Sequence, residues 1–213
     1  MHFEILVEDQ SGKKALDILI PKIISNQHKF KVRPYQGIGH IPKNLTNPTN
    51  ANTNLLLNQL PMQLRAYGKN YANDPTKVVI VVCDLDNNCL RTFRRQLFTV
   101  LNACNPRPKT RFCIAIEEGE AWLLGDIPAI KAAYPRAKDN ILNGYQNDSI
   151  CGTWELLADA VFRGGSSRLK KRGWQTVGRE KSTWAQKITP YMNVDQNASP
   201  SFCYFRDKIR ELI

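Results

Sequence analysis

The sequence predicts an α/β fold with a mostly parallel sheet flanked by helices, followed by a helical C-terminal extension. Residues 78–83, VVIVVC, form a continuous apolar run that is typical of a central parallel strand buried on both faces. Strand-like and helix-like segments alternate over residues 1–137, a pattern that favours right-handed crossovers. Beyond residue 137 no segment resembles a strand. We therefore predict a core over residues 1–137 and a helical, basic extension over residues 138–213.

The first half of the core contains three predicted strands. FEILVE (residues 3–8) precedes a turn and an amphipathic helix over residues 13–24, for which Ser11 is the expected N-cap and Pro21 the expected kink or early end. FKVRPYQ (residues 30–36) is assigned to a sheet edge because Pro34 cannot donate to a ladder. A long loop and a helix form an insertion at about residues 37–71, ahead of the central strand.

The remaining elements follow from periodicity and capping signals. Apolar residues at helical spacing predict a helix over residues 90–101, and RFCIAI (residues 111–116) is the next buried strand. Short helices are expected at residues 121–124 and 129–134, the second capped by Asp126. In the extension, residues 153–162, 184–189 and 201–213 read as helices, and a basic, glycine-rich stretch occupies residues 163–181.

Composition narrows the function classes. Thirty Lys and Arg against 19 Asp and Glu give a net charge of +11, which favours a polyanionic partner such as nucleic acid. No stretch approaches the roughly 20 apolar residues of a membrane span. The acidic, strand-like N-terminus is not a secretory signal. The six cysteines show no CxxC spacing, so we expect reduced thiols in a cytoplasmic protein and no zinc.

Acidic residues follow three of the predicted strands. Glu8 ends the first, Asp84 and Asp86 end the central one, and Glu117, Glu118 and Glu120 follow the next. The carboxyl ends of parallel strands meet at one sheet edge, where crowded carboxylates attract a hard divalent cation. Helical spacing favours Glu117 and Glu120 over Glu118 as ligands. The alternative is that these acids only form turns and cap helices.

These residues resemble a known family. ILVEDQSGKKAL and VVIVVCDLDNN are similar to the Glu-bearing and DxD motifs of the Toprim fold. Together with GIGHIPKN, IAIEEGEAWLLGD, KAAYP and NASPSF, they resemble a Toprim-like bacterial family catalogued as domain of unknown function 4276. Many Toprim first motifs read Glu-Gly, whereas here Asp9 follows Glu8 and could add a ligand.

The resemblance implies a Toprim core related to that of overcoming-lysogenization-defect nucleases. It implies Mg²⁺ or Mn²⁺ held by Glu8, Asp84 and Asp86, with Glu8 as a general acid or base. By association alone it also suggests an anti-phage defence role and a partner ATPase. A homodimer is compatible with this interpretation.

Basic residues supply the expected nucleic-acid contacts, with DNA favoured over RNA. Lys13 lies one turn past Glu8, near a helix N-terminus suited to phosphate, and is predicted to be catalytic together with Glu8, Asp84 and Asp86. The remaining predicted contacts lie on the 37–54 loop and in the basic stretch: His40, Lys43, Arg168, Lys170, Lys171, Arg172 and Trp174. Solvated side chains are the alternative for each of them.

Two other functions remain open at this stage. A catalytically silent Toprim-like module could bind nucleotide or a partner protein without cutting anything. A haloacid-dehalogenase-like phosphatase would use Asp84 as its nucleophile and Asp86 as its acid. Against the phosphatase, Asn88 stands where Thr or Val is expected, and the strand is not the first in the chain.

Overall fold

The structure is a computed structural model that describes residues 1–45, 53–149 and 152–213. Its centre is a four-stranded, all-parallel sheet in the order β2-β1-β3-β4. The strands are β1 (His2–Val7), β2 (Lys29–Pro34), β3 (Lys77–Asp84) and β4 (Thr110–Ala115). The predicted α/β class is therefore confirmed, and Pro34 does end a strand at the sheet edge.

Ten helices are described around this sheet. They are α1 (Gln10–Ile23), α2 (Leu56–Tyr71), α3 (Leu90–Asn102), α4 (Glu120–Leu124), α5 (Ile127–Ala133), α6 (Asp139–Leu142), α7 (Thr153–Val161), α8 (Gly165–Lys170), α9 (Trp174–Ile188) and α10 (Pro200–Arg210). Most of the basic stretch at residues 163–181 is helical, because it contains α8 and the first half of α9. The glycines at residues 164, 165 and 173 have positive φ values and mark the starts of these two helices.

Two local predictions have different outcomes. Asp126 caps α5 as expected, since its Oδ1 accepts a hydrogen bond from the Ala129 N–H at 3.0 Å. The predicted cap of α1 at Ser11 is wrong: Asp9 is the N-cap, and its Oδ1 accepts from the Gly12 N–H at 2.7 Å. Pro21 lies within the last turn of α1, so the helix continues to Ile23.

The sheet is covered on both faces. One face packs against α2 and α3 through residues such as Leu60 and Phe93. The other packs against α1 and the C-terminal helices, and Trp184 and Phe202 from those helices share a single core with Phe3 of β1. The division at residue 137 remains a prediction, but helices beyond it complete the core on this face.

The strand order creates a switch point. The chain leaves β1 to one side to form β2 and then returns to the other side to form β3. Loops therefore diverge between the carboxyl ends of β1 and β3, which is where open α/β sheets place ligands. Glu8 directly follows β1, and Asp84 is the last residue of β3.

Candidate functional site

Glu8 and Asp84 face each other across the switch point. The Asp84 backbone N–H donates to Glu8 Oε2 at 3.4 Å. Both line a cavity of about 50 Å³, together with Glu120 and Lys181. Burial raises the pKa of Glu8 to about 7, and repulsion from Asp86 adds to the effect. Burial, followed by the charge of Glu8, holds the pKa of Asp84 well above its usual range.

The turn after β3 is tied to the turn after β4. The backbone N–H of Leu85 donates to Ala115 O, and that of Asp86 donates to Glu117 O, both at 2.9 Å. Asp86 and Glu117 adopt φ values of 47° and 61°, in the left-handed region that non-glycine residues seldom occupy. Such backbone conformations cluster at ligand sites, since the surrounding structure must hold them in place. Burial raises the pKa of Asp86, and Glu117 adds to the rise against the influence of Lys181.

Glu117 stabilises the start of α7. Its Oε1 accepts from the Gly152 N–H and its Oε2 from the Thr153 N–H, each at 2.6 Å. A carboxylate at this position interacts favourably with the N-terminal end of the helix dipole. Both oxygens of this predicted metal ligand are therefore engaged by backbone in the structure.

Glu118 and Glu120 both approach the ammonium group of Lys181 on α9. Lys181 Nζ lies 3.1 Å from Glu120 Oε2 and 3.6 Å from Glu118 Oε1. Two positions apart on one helix, these acids would face different directions, but Glu118 lies in the turn ahead of α4. Burial raises the pKa of Glu118 to about 7 and also raises that of Glu120, in each case against the opposing influence of Lys181.

Lys181 is the residue that sequence reasoning missed. Its side chain is 16% exposed, and burial alone would lower its pKa. The carboxylates of Glu120, Glu118 and Asp84 outweigh burial and raise that pKa, so Lys181 remains charged. The sequence signal was present but indirect: six acids crowded at one edge require a cation, and Lys181 ends the basic stretch.

One ammonium group does not satisfy this acidic cluster. Glu118 Oε2 is a buried oxygen with no partner in the described structure, and the buried Glu120 Oε2 has none besides its ion pair with Lys181. Glu8, Asp84 and Asp86 retain raised pKa values despite Lys181. Unsatisfied carboxylate oxygens of this kind fit a hard cation. In the described residues, however, no three His, Cys, Asp or Glu side chains converge closely enough to hold a metal ion as they stand.

Two other acidic or basic residues near the start of α1 are already engaged in local contacts. Asp9, considered as an extra ligand, uses Oδ1 for the cap of α1 and accepts from the Ser11 hydroxyl through Oδ2 at 2.6 Å. The ammonium group of Lys13 pairs with Asp17 one turn further along the helix. The structure therefore places Lys13 on the outer side of α1 and not in the cavity.

The loop that carries His40 and Lys43 begins beside Glu8. The Gly37 N–H donates to Glu8 O at 3.0 Å, which fixes the start of the loop to the site. The His40 N–H donates to Asn58 Oδ1 at 2.9 Å, while the side chains of His40 and Lys43 are exposed. Part of the predicted 37–54 loop, residues 46–52, lies outside the described residues.

The predicted nucleic-acid contacts between residues 168 and 174 lie near α7 and do not line the cavity. Lys170 Nζ lies 3.0 Å from Glu155 Oε1 and 5.3 Å from the centre of the Trp154 ring. The Arg172 guanidinium lies 5.4 Å from the centre of the Phe162 ring. Trp174 is 74% exposed, so most of its ring is free to contact a partner. Arg168 and Lys171, the other two predicted contacts, are also exposed.

No helix in the described parts of the chain is both long and apolar enough to cross a membrane. The predictions of a cytoplasmic location and of a homodimer remain predictions.

Comparison with known proteins gives a single result. The family model for a domain of unknown function, DUF4276, matches residues 7–210. No curated protein and no solved structure gives a significant match. The matched region contains Glu8, Asp84, Asp86, Glu120 and Lys181, and it spans nearly the whole chain. The chain therefore belongs to the DUF4276 family.

Proposed function

We propose that this chain is a metal-dependent nuclease that cleaves phosphodiester bonds of nucleic acid, with DNA favoured. One observation carries the proposal: Glu8 and Asp84 meet at the switch point of a parallel sheet with strongly raised pKa values. Burial and like charges make these carboxylates costly in free energy to ionise, and a bound cation would stabilise their ionised form. The motif resemblance to Toprim domains adds the reaction class.

Glu8, Asp84 and Asp86 would hold Mg²⁺ or Mn²⁺, with Glu118 and Glu120 as the nearest further oxygen donors. The bound cation would neutralise the carboxylates and polarise a phosphodiester. Without metal the pKa of Glu8 is about 7, and a bound cation would lower it and keep this carboxylate ionised as a ligand or a general base. Lys181, which stays charged, would help to hold the anionic phosphate beside Asp84.

The charge distribution supports a polyanionic substrate. The chain carries +11 overall, although its cavity is acidic. Exposed cations on α8 and after it would bind the sugar-phosphate backbone, and the exposed ring of Trp174 could stack on a base. A partner ATPase and a role in anti-phage defence, which the resemblance suggests, belong to the same proposal.

A second function is favoured by a different observation. Lys181 already places a positive charge among Glu118, Glu120 and Asp84, where a divalent cation would otherwise be needed. An internal cation of this kind suits a catalytically silent module that binds nucleotide or a partner protein. The two functions differ in whether the chain binds a divalent metal.

The experiment combines cleavage with metal binding. Purified protein is incubated with supercoiled plasmid and Mg²⁺ or Mn²⁺, and Mn²⁺ binding is followed by electron paramagnetic resonance. We expect Glu8→Gln and Asp84→Asn to reduce nicking at least ~100-fold. Asp17→Asn is the matched control, because this carboxylate lies on α1 away from the cavity and should leave nicking unchanged.

The outcomes separate the two candidates. Equal nicking by the wild type and both site variants would contradict the assignment of the site. A wild type that neither cleaves plasmid nor binds Mn²⁺ would support the silent module. Binding of Mn²⁺ that is lost in Asp84→Asn, without cleavage, would retain the metal site and direct the search to a partner ATPase.

A further inference from the structure

β4 is an edge strand whose outer side has unused backbone hydrogen-bonding groups. Val79 N–H donates to Lys109 O and Leu85 N–H donates to Ala115 O, so the odd-numbered residues of β4 face β3. In a strand, alternate residues direct their backbone groups to opposite sides. The backbone N–H and C=O groups of Phe112 and Ile114 therefore point away from the sheet. Within the described ranges, the backbone N–H and C=O groups of Phe112 and Ile114 take part in no hydrogen bond.

A groove runs along this edge between α3 and α10. Its upper part, at the carboxyl end of β4, has a volume of about 310 Å³, and its lower part, at the amino end, has a volume of about 250 Å³. Phe112 lies in both parts, and Ile114 lies in the upper one. Leu90 and Phe98 of α3 also line the groove, and each is 38% exposed. A strand edge flanked by exposed apolar side chains is a template for a further strand.

The charge of the groove defines what would bind there. Arg94, Arg107 and Arg111 line it without an ion-pair partner among the described residues. The two acids of the groove are already engaged: Glu211 pairs with Lys208, and Asp148 accepts from Ser199 and Ser201. The free charge is therefore positive. A second copy pairing β4 to β4 would bring these arginines against one another, which disfavours self-pairing.

We propose that the outer edge of β4 binds an extended segment of a partner protein in which apolar residues alternate with acidic ones. The segment adds a fifth strand to the sheet through Phe112 and Ile114. Its apolar side chains fill the groove beside Leu90 and Phe98, and its acidic side chains pair with the free arginines. Arg94, whose guanidinium lies 5.6 Å from the centre of the Tyr204 ring, lies across the groove and moves aside on binding. Such strand addition gains affinity from the backbone and specificity from alternate side chains.

The test uses a probe peptide and a backbone-modified control. The probe is fluorescein-labelled Glu-Val-Glu-Val-Glu-Val-Glu, and the control is the same peptide N-methylated at every internal residue. We expect the probe to bind by fluorescence anisotropy and to slow amide hydrogen exchange at Phe112 and Ile114. The N-methylated peptide should bind roughly tenfold more weakly or worse, because it lacks the ladder donors. Arg94→Glu should weaken binding of the acidic probe. The same variant should bind more tightly a peptide with Lys in place of Glu.

Three results would overturn the proposal. They are no binding of the probe at millimolar concentration, equal binding of the N-methylated peptide, and slowed exchange at sites other than Phe112 and Ile114. If exchange at these two amides slows when only the protein concentration is raised, the edge pairs with a second copy of the chain instead. The result is independent of nuclease activity, because the groove and the acidic cavity have no lining residue in common.

Discussion

Replacing Lys181 with Met tests the electrostatics of the acidic site directly. Met preserves the length and apolar stem of the side chain but removes the charge. The change leaves Glu120, which is 4% exposed, and Glu118 without their cation. Removing one partner of a buried ion pair costs about 3–5 kcal/mol, since the other charge is left uncompensated. For a chain of this length, a loss of 3 kcal/mol lowers Tm by roughly 6–12 °C.

The loss should depend on pH. Without Lys181, the pKa values of Glu118 and Glu120 rise further, so both carboxyls are protonated at pH 5 and the cost of burying them falls. At pH 8 the carboxylates of the unfolded chain are ionised, so folding must bury them as ions or bind protons, and the loss is larger. Urea denaturation of the wild type and Lys181→Met at both pH values measures the difference.

Lys187→Met is the matched control, because Lys187 is an exposed lysine of the same helix whose ammonium lies 5.6 Å from the centre of the Tyr134 ring. We expect this control to lose about 1 kcal/mol or less at either pH. A loss below 1 kcal/mol for Lys181→Met at pH 8, or an equal loss at both pH values, would refute the reasoning.

Four further outcomes are expected. Asp84→Asn should raise the free energy of unfolding at pH 8 by about 1–2 kcal/mol, since it removes a buried charge that Glu8 repels; urea denaturation checks it. Without metal, the free energy of unfolding should fall by roughly 3 kcal/mol between pH 4.5 and pH 7, because the folded pKa of Glu8, about 7, lies above its unfolded value. Mg²⁺ should therefore raise Tm more at pH 8 than at pH 5.5 in a thermal shift assay. Glu117→Gln should lower stability by about 1–3 kcal/mol through its two α7 hydrogen bonds, while Mn²⁺ affinity changes less than twofold. Gly68→Ala should cost about 3 kcal/mol in urea denaturation, because its Cβ would lie 2.0 Å from Pro106 O, whereas Gly178→Ala, in open space on α9, should be neutral or stabilising.

Local sequence signals predicted the sheet well. The apolar run at residues 78–83 and the proline in β2 each act through the strand that contains them, so burial and edge position could be inferred without the fold. The same reasoning placed Glu8, Asp84 and Asp86 at one edge, because parallel strands share a direction. The DxD pair was ambiguous alone and became informative only beside Glu8.

Long-range partners were beyond such reasoning. Glu117 was expected to act like Glu120, but its carboxylate is engaged by the N-terminus of α7, a helix whose position depends on the packing of the C-terminal segment. Lys181 was counted only as the last residue of a basic stretch, although helical spacing with Val177 and Trp184 places it on the inner side of α9. The glycines around α8 concealed that periodicity.

The position of Lys181 makes the folding order of the chain matter. During synthesis, the strands that carry the acids are complete before α9 exists, so the early chain exposes a cluster of carboxylates with no internal cation. The same chain also lacks Trp184 and Phe202, which close one face of the sheet. A fragment ending at residue 137 should therefore remain open and strongly attract cations. The finished protein differs from it because its last third supplies both the missing core and the missing charge.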